Sequence, residues 1–193
     1  MRGTGSDFQV RGYMISSAAQ CVRETLGDRE GNQILANLTP QTREFITSAQ
    51  TASWYPVSAL SEILRAFAAV SKNDEKRAQD QLVKCGSYMA KEATNTFLRL
   101  LMRMLTPGLF AKKLPDLWSR DCSRGKLEVD VTDARLVFRM SEVAGFDHAA
   151  CTGAGFAVFA LTTMGKVVQN IEIRNWSLAN AAADSEVLIT WKT

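Results

Sequence analysis

The chain has 193 residues, of which 46% are hydrophobic and 22% are charged, ordinary proportions for one globular domain. This composition excludes a disordered chain, a collagen-like fibre and a disulfide-stapled miniprotein, because a chain of this length can bury its own core. A formal net charge of +3 is too small to indicate a nucleic-acid partner. We therefore expect a single domain over residues 1–193, with the small, polar and glycine-rich residues 1–7 disordered.

The cysteines and the apolar segments predict a cytoplasmic protein. The four cysteines are far apart in the sequence and form no CxxC pair, which is typical of reduced thiols and not of a metal site: Cys21, Cys85, Cys122 and Cys151. No apolar stretch is long enough to form an integral membrane segment. The first residues lack the apolar core of a signal peptide.

The first two-thirds of the chain has the periodicity of amphipathic helices. Thr39 before Pro40 is a typical helix start, and Asn73 or Asp74 can cap a helix that begins with Glu75. The spacing of apolar residues predicts helices over these ranges: 13–26, 32–38, 40–49, 57–70, 75–105 and 109–118. Gly86 could break the long helix over 75–105, whose second half is rich in large apolar residues and is expected to enter the core.

From Gly125 onward the pattern becomes that of strands. Residues 126–131 and 135–140 alternate apolar and polar side chains, and the three residues between them suit a hairpin connection. A helix over 148–164 and strands over 167–173 and 186–191 follow. The prediction is an α+β fold, with a helical N-terminal two-thirds packed on a small antiparallel sheet made of two strands, a helix and two strands.

The C-terminal third resembles the 4-vinyl-reductase-like domain. Its small-residue helix carries Gly155 and Phe156, Gly165 leads into a strand with Glu172, and residues 187–191 match the final strand of that domain. The family shares a broad fold with haem-nitric-oxide-binding domains and with the small subunits of TRAPP trafficking complexes. Segments of the N-terminal part are further similar to an uncharacterised myxobacterial family of about this length: 8–12, 35–38, 54–56, and 106–107 through 117–118.

The resemblance implies this fold without a cofactor. Relatives that bind haem need an axial histidine on the long central helix, and residues 75–105 contain no histidine. The 4-vinyl-reductase-like domain usually carries cysteines in its final hairpin, and residues 177–185 contain none. The TRAPP-like branch implies a dimerising adaptor with an apolar pocket and no catalytic residue.

His148 is the only histidine, and Cys151 follows it about one helical turn later. The pair could serve as a base and a nucleophile, but no orienting group or oxyanion donor is evident nearby. We favour a structural role for His148 in the first turn of a helix that Asp147 caps. Glu128 and Asp130 share one face of a strand, where solvation is the favoured interpretation over acid–base chemistry.

Two further groups of side chains have alternative interpretations. The basic residues Arg99, Arg103, Lys112 and Lys113 could meet an acidic lipid headgroup or a nucleic-acid backbone, but solvated helix faces are favoured. Methionine and phenylalanine side chains of the two predicted helices that are expected to face each other can line an adaptable cavity, although they also fill cores. The residues predicted to line such a ligand pocket are Cys85, Met89, Phe97, Cys151, Phe156 and Phe159.

The leading functional hypothesis is a non-enzymatic regulatory or sensory module. It would bind a small apolar ligand, a partner protein or both, and a ligand that fits one packing of the helices would shift the population of states. The alternative is a homodimeric structural adaptor of TRAPP-like fold without a ligand. A Cys/His-dependent enzyme is the least supported hypothesis.

Overall fold

Helices occupy most of the chain up to residue 121, and the four-stranded sheet follows them. The computed structural model describes residues 8–181 and 184–192, and for Phe97 only the backbone. The elements are β1 (Gln9–Arg11), α1 (Gly12–Leu26), α2 (Asp28–Ala36), α3 (Pro40–Ser48), β2 (Trp54–Pro56), α4 (Val57–Ala69), α5 (Glu75–Ala93), α6 (Thr96–Met104), α7 (Pro107–Asp121), β3 (Lys126–Thr132), β4 (Arg135–Ser141), α8 (Ala149–Thr163), β5 (Val167–Arg174) and β6 (Ser185–Lys192). The predicted α+β class is confirmed. The disorder expected for residues 1–7 lies outside the described residues.

The sheet has the strand order β3-β4-β6-β5, and every neighbouring pair is antiparallel. The predicted hairpin is confirmed, since Thr132 pairs with Arg135 across a two-residue turn. Alternation places Leu136, Phe138 and Met140 of β4 on the buried face. β4 and β6 are the two central strands of the sheet. Helix α8 packs against this buried face.

A second, two-stranded sheet was not predicted from the sequence. Val10 of β1 pairs with Tyr55 of β2, which joins the start of the chain to the entrance of α4. Val10 also forms an isolated bridge with Cys122, just after α7. Strands of three residues are too short to show an alternating pattern, so the sequence carried little signal for them.

The single long helix predicted over 75–105 is wrong. Two helices replace it, because Thr94 adopts an extended backbone and the side chain of Asn95 accepts a hydrogen bond from the Leu98 N–H at 2.9 Å, capping α6. The guanidinium of Arg99 donates to the carbonyls of Lys91 and Thr94 and so satisfies the last turn of α5. Gly86, where a break was considered, lies inside α5.

Two glycines bring α5 and α8 into backbone contact. A Cβ on Gly86 would lie 2.1 Å from the carbonyl oxygen of Thr152, and one on Gly155 would lie 2.1 Å from the carbonyl oxygen of Val83. The hydroxyl of Ser87 donates to the Gly155 carbonyl at 2.8 Å. The small residues of α8 therefore let it approach another helix of the chain closely, and that helix is α5.

The opposite side of α8 faces the sheet. A Cβ on Gly153 would meet the end of the Met140 side chain at 3.2 Å, so this approach is less tight than the one to α5. Most residues of α8 are buried, which is the pattern of a helix enclosed on several sides. No helix among the described residues has the length and apolar character needed to span a membrane.

We predict that Gly86→Ala and Gly155→Ala each lower the free energy of unfolding by about 3 kcal/mol or more. A methyl group at either position would overlap a backbone carbonyl that cannot rotate away. Gly108→Ala in α7 is the control, because a Cβ there would lie 3.9 Å from its nearest neighbour, the hydroxyl oxygen of Thr106. Urea unfolding followed by circular dichroism measures all three variants. Equal stability of the Gly86→Ala variant and the control would contradict the close contact.

Candidate functional site

Five of the six predicted pocket residues lie on α5 and α8, the two helices that are in closest contact, and Phe97 lies on α6. Cys85 and Met89 of α5 and Cys151 of α8 are fully buried, whereas Phe156 and Phe159 of α8 are half-buried. The side chain of Phe97 lies outside the described part of the structure. Two open surface grooves, of about 510 and 570 Å³, are lined by other residues. The predicted ligand pocket therefore remains a prediction, located at the α5–α8 interface.

Cys85 and Cys151 have the properties of inert thiols. All four cysteines are free, and burial raises the pKa of Cys151. A hydrogen bond with the Cys21 thiol, together with burial, raises the pKa of Cys85. A thiol with a raised pKa carries little thiolate at neutral pH, so neither cysteine is prepared as a nucleophile. They can contribute polarisable apolar surface to a cavity.

His148 occupies the N-cap position of α8, where Asp147 was expected, so that prediction is wrong. Its backbone has a φ of 63°, in the left-handed region, and its N–H donates to the Ala181 carbonyl at 2.7 Å. Asp147 instead forms an ion pair with Arg65 of α4 at 2.5 Å. With His148 in this left-handed conformation, α8 begins at Ala149, and Asp147 lies before the N-cap position.

The imidazole of His148 is held by Trp176. The indole Nε1–H donates to Nδ1 of His148 at 3.3 Å, and the two rings meet edge to face. Burial lowers the pKa of His148 to about 4. Nδ1 is thus an engaged acceptor, and a base of such low pKa would be a weak proton acceptor at neutral pH. The geometry assigns no catalytic role to His148 and Cys151.

The segment before α8 is fastened to α4 at a second point. The hydroxyl of Ser61 donates to the Gly145 carbonyl at 2.7 Å and accepts from the Asp147 N–H at 3.0 Å. With the Arg65–Asp147 ion pair, these contacts fix the start of α8 relative to the helical layer. Sequence reasoning missed Ser61 and Arg65, because a serine and an arginine within an amphipathic helix carry no pattern of their own.

The outer face of the sheet is covered by ion pairs. Arg139 of β4 bridges Asp130 of β3 and Glu186 of β6, with distances of 2.9 and 2.8 Å. Arg174 of β5 continues the network to Glu186 at 2.8 Å and to Glu172 at 2.7 Å. Glu128 is exposed on β3. The expected solvated face is confirmed, and Asp130 is engaged by an arginine.

An exposed apolar surface lies on α6 and at the start of α7. Seven large hydrophobic side chains are exposed in the described part of the chain, and five of them lie here: Leu98, Leu100, Leu101, Met104 and Leu109. The expectation that this segment enters the core is wrong, since Met104 is 82% exposed. The break at Thr94 redirects α6 along the surface. Its capping asparagine was the signal in the sequence.

The comparisons with known proteins give the fold. No family model matches the chain, and no curated protein matches its sequence. Solved H-NOX proteins share its architecture. The unliganded Fe(II) H-NOX protein from K. algicida superposes with a TM-score of 0.70 at 10% identity, covering 95% of this chain and 97% of that one. An H-NOX protein from S. oneidensis in the Fe(II)NO state has a TM-score of 0.59 at 15% identity, covering 95% and 99%.

A third H-NOX structure, a variant from T. Tengcongensis, has a TM-score of 0.59 at 11% identity and covers 95% of this chain and 98% of its own. These likenesses define an H-NOX-like fold. At such low identity they show the fold alone. The resemblance to the haem-nitric-oxide-binding fold is confirmed at this level, and the narrower 4-vinyl-reductase-like or TRAPP-like assignment is not shown by them.

The donor residues of this chain do not fit a haem. His148 is 2% exposed, and since its Nδ1 accepts from Trp176, the proton of the neutral ring resides on Nε2, leaving no lone pair for iron. All four thiols are buried, and the pKa is raised for Cys85, Cys122 and Cys151. The pKa of Cys21 is lowered by its hydrogen bond with the Cys85 thiol, so its sulfur is already engaged inside the core. No group of three or more metal-binding side chains was found among the described residues.

We predict that His148 makes stability fall between neutral and mildly acidic pH. Its pKa is lowered from 6.5 to about 4 in the folded state, so the unfolded chain binds the extra proton below pH 6.5. The contribution is fully present above that pH, and about 2 kcal/mol of it is lost at pH 5. His148→Asn, which tolerates the left-handed backbone and keeps an acceptor, removes this loss. Urea unfolding at pH 7 and pH 5 measures both proteins; an identical pH dependence would contradict the assignment.

We also predict that haem added to the purified chain yields no absorption spectrum of a histidine-ligated complex. The reason is that the only imidazole is buried and accepts a hydrogen bond from Trp176. Titration with haem, followed in the Soret region, should give the same result for the native chain and for His148→Asn. A ligated spectrum that the substitution abolishes would show that His148 is available to iron.

Proposed function

We propose that the chain is a non-enzymatic regulatory or sensory module that binds a small apolar ligand at the interface of α5 and α8. The fold supports this proposal, because solved H-NOX structures hold Fe(II) in unliganded, NO-bound and CO-bound states. This chain would use the same architecture without iron. We assign it to the 4-vinyl-reductase-like branch of the fold, which its C-terminal third resembles, and to the cytoplasm.

The observation that carries the proposal is the position of α8 between two layers. One side of this helix contacts α5 through Gly155, and another contacts the sheet through Gly153. A ligand inserted beside Cys85, Met89 and Cys151 must move α8 relative to one of these layers. Any displacement of α8 therefore changes the surface that the helices or the sheet present.

The chemistry of the interface suits an apolar ligand. The side chains that the two helices contribute are neutral thiols, a thioether and aromatic rings, with no charged group among the predicted pocket residues. Methionine and cysteine side chains are polarisable and adapt to different shapes. A ligand that binds one packing of α5 and α8 more tightly than another shifts the population toward it, which is sufficient for sensing.

Native mass spectrometry of the protein tests the proposal. We expect a discrete additional mass that is lost on denaturation. In Phe156→Ala, the fraction of molecules that carry this mass should fall several-fold, since a half-buried ring beside the interface is removed. Phe45→Ala is the matched control, because Phe45 is also half-buried but packs against Tyr55 on the other side of the helical layer.

The two variants should have similar thermal midpoints, so that a difference in retained mass reports on binding and not on folding. A dimer without additional mass would favour a structural adaptor and overturn the ligand proposal. Retention that is unchanged in Phe156→Ala would place any ligand away from the α5–α8 interface.

A further inference from the structure

The surface formed by α6 and the start of α7 has an arrangement that the proposed sensory function does not use. Leu98 and Leu101 are three residues apart and Leu100 and Met104 four apart, so each pair shares one side of α6. All four side chains are exposed, and Leu109 extends the apolar surface onto α7. We call these five residues the α6–α7 apolar surface.

Basic side chains border this surface, and acidic ones are absent from its sequence. Residues 93–115 contain Arg99, Arg103, Lys112 and Lys113 and no aspartate or glutamate. Arg99 is occupied in capping α5, and Lys113 has a 3.3 Å ion pair with Asp116 in an exposed position. Within the described residues, Arg103 and Lys112 have no ion-pair partner, and both are exposed.

The orientation of α6 separates this surface from an ordinary core-facing helix. Among the described side chains of α6, Arg99 and Met102 are half-buried, whereas the three leucines and Met104 are exposed. A helix with one strongly apolar side, a basic opposite edge and low overall hydrophobicity is typical of segments that lie in a membrane interface. The outward position of the leucines is thus explained by an apolar medium outside the protein.

We propose that the α6–α7 apolar surface binds the surface of a membrane that contains anionic phospholipids. Leucine and methionine side chains would enter the boundary between headgroups and acyl chains, and Arg103 and Lys112 would meet the phosphates. A bilayer is favoured over a protein partner for two reasons. Among the described residues, the exposed charged side chains without an ion pair beside the apolar surface, Arg103 and Lys112, are both basic, and the apolar residues lie on an exposed side of a surface helix. A shape-complementary protein would need a fitted surface instead.

A groove next to the surface is consistent with this orientation. Leu109 and Lys112 also line the open groove of about 510 Å³ between α7 and β3, together with Pro115, Val129 and Val131. Asp130 is at its edge and is paired with Arg139. The apolar surface therefore continues from α6 into this groove without an unpaired acidic side chain.

Sedimentation with lipid vesicles tests the proposal. The native protein should sediment with vesicles of phosphatidylcholine and phosphatidylserine, and far less with vesicles of phosphatidylcholine alone. Added salt should weaken the binding, because it screens the basic residues. Arg103→Glu combined with Lys112→Glu should lower the partition coefficient by about tenfold or more, and Leu101→Gln combined with Met104→Gln should do the same.

Matched controls keep the charge and the apolar exposure comparable. Arg29→Glu combined with Arg135→Glu changes the net charge equally at exposed positions elsewhere, and Val167→Gln removes an exposed apolar side chain from β5. Neither control should reduce binding beyond about twofold. All of these substitutions change exposed side chains, so each variant is expected to fold, and circular dichroism is the check.

Three outcomes would overturn the proposal. The first is a native protein that does not sediment with the anionic vesicles, and the second is binding that the paired substitutions leave unchanged. The third is a concentration-dependent dimer, seen by analytical ultracentrifugation, that Leu101→Gln with Met104→Gln dissociates while no vesicle binding occurs. That result would assign the surface to a second copy of the chain. None of these outcomes affects the ligand proposed at the α5–α8 interface.

Discussion

The contact between the backbones of α5 and α8 is the constraint on which the rest of the structure depends. Two glycines allow it, since a methyl group on Gly86 or Gly155 would overlap a carbonyl oxygen of the other helix. Dispersion attraction falls steeply with separation, so such a close approach stabilises this packing of the two helices. The sheet packs on another side of α8. This helix therefore lies between α5 and the sheet.

The start of α8 is positioned by contacts that converge on one short segment. Ser61 and Arg65 of α4 bind residues 145–147, and Trp176 binds His148 from the other direction. A single histidine in a chain invites a catalytic or metal-binding interpretation. Here it forms part of the helix start, with its ring buried and its acceptor nitrogen occupied. Because burial lowers the pKa of His148, we expect the free energy of unfolding to depend on pH.

The fold and the chemistry of this chain differ in what they imply. The architecture is that of H-NOX proteins over 95% of the chain, yet its donor residues do not fit an iron ligand. A fold can carry unrelated functions, because function resides in particular side chains. In this chain the distinctive side chains are apolar: the buried Cys85, Met89 and Cys151 on α5 and α8, and exposed leucines with basic neighbours on α6.

The sequence by itself determined the α+β class, the bounds of α1, α3, α4 and α8 to within about one residue, and the β3–β4 hairpin, because periodicity, Thr39 at a helix start and the turn at Asp133 are local signals. It also indicated the small-residue helix. The local pattern could not decide whether the leucines of α6 enter the core. An apolar side of a helix has the same spacing in the sequence whether it is buried or exposed.

Only the tertiary structure decided the direction of α6, the partner of α8 and the environment of His148. Each depends on residues distant in the chain: Gly86 meets Thr152, Trp176 meets His148, and Ser61 meets Asp147. Burial and hydrogen bonding set the pKa of a group, and both follow from the packed structure. The sequence identified His148 and the cysteines as candidates for chemistry. The packing determined that their side chains are buried.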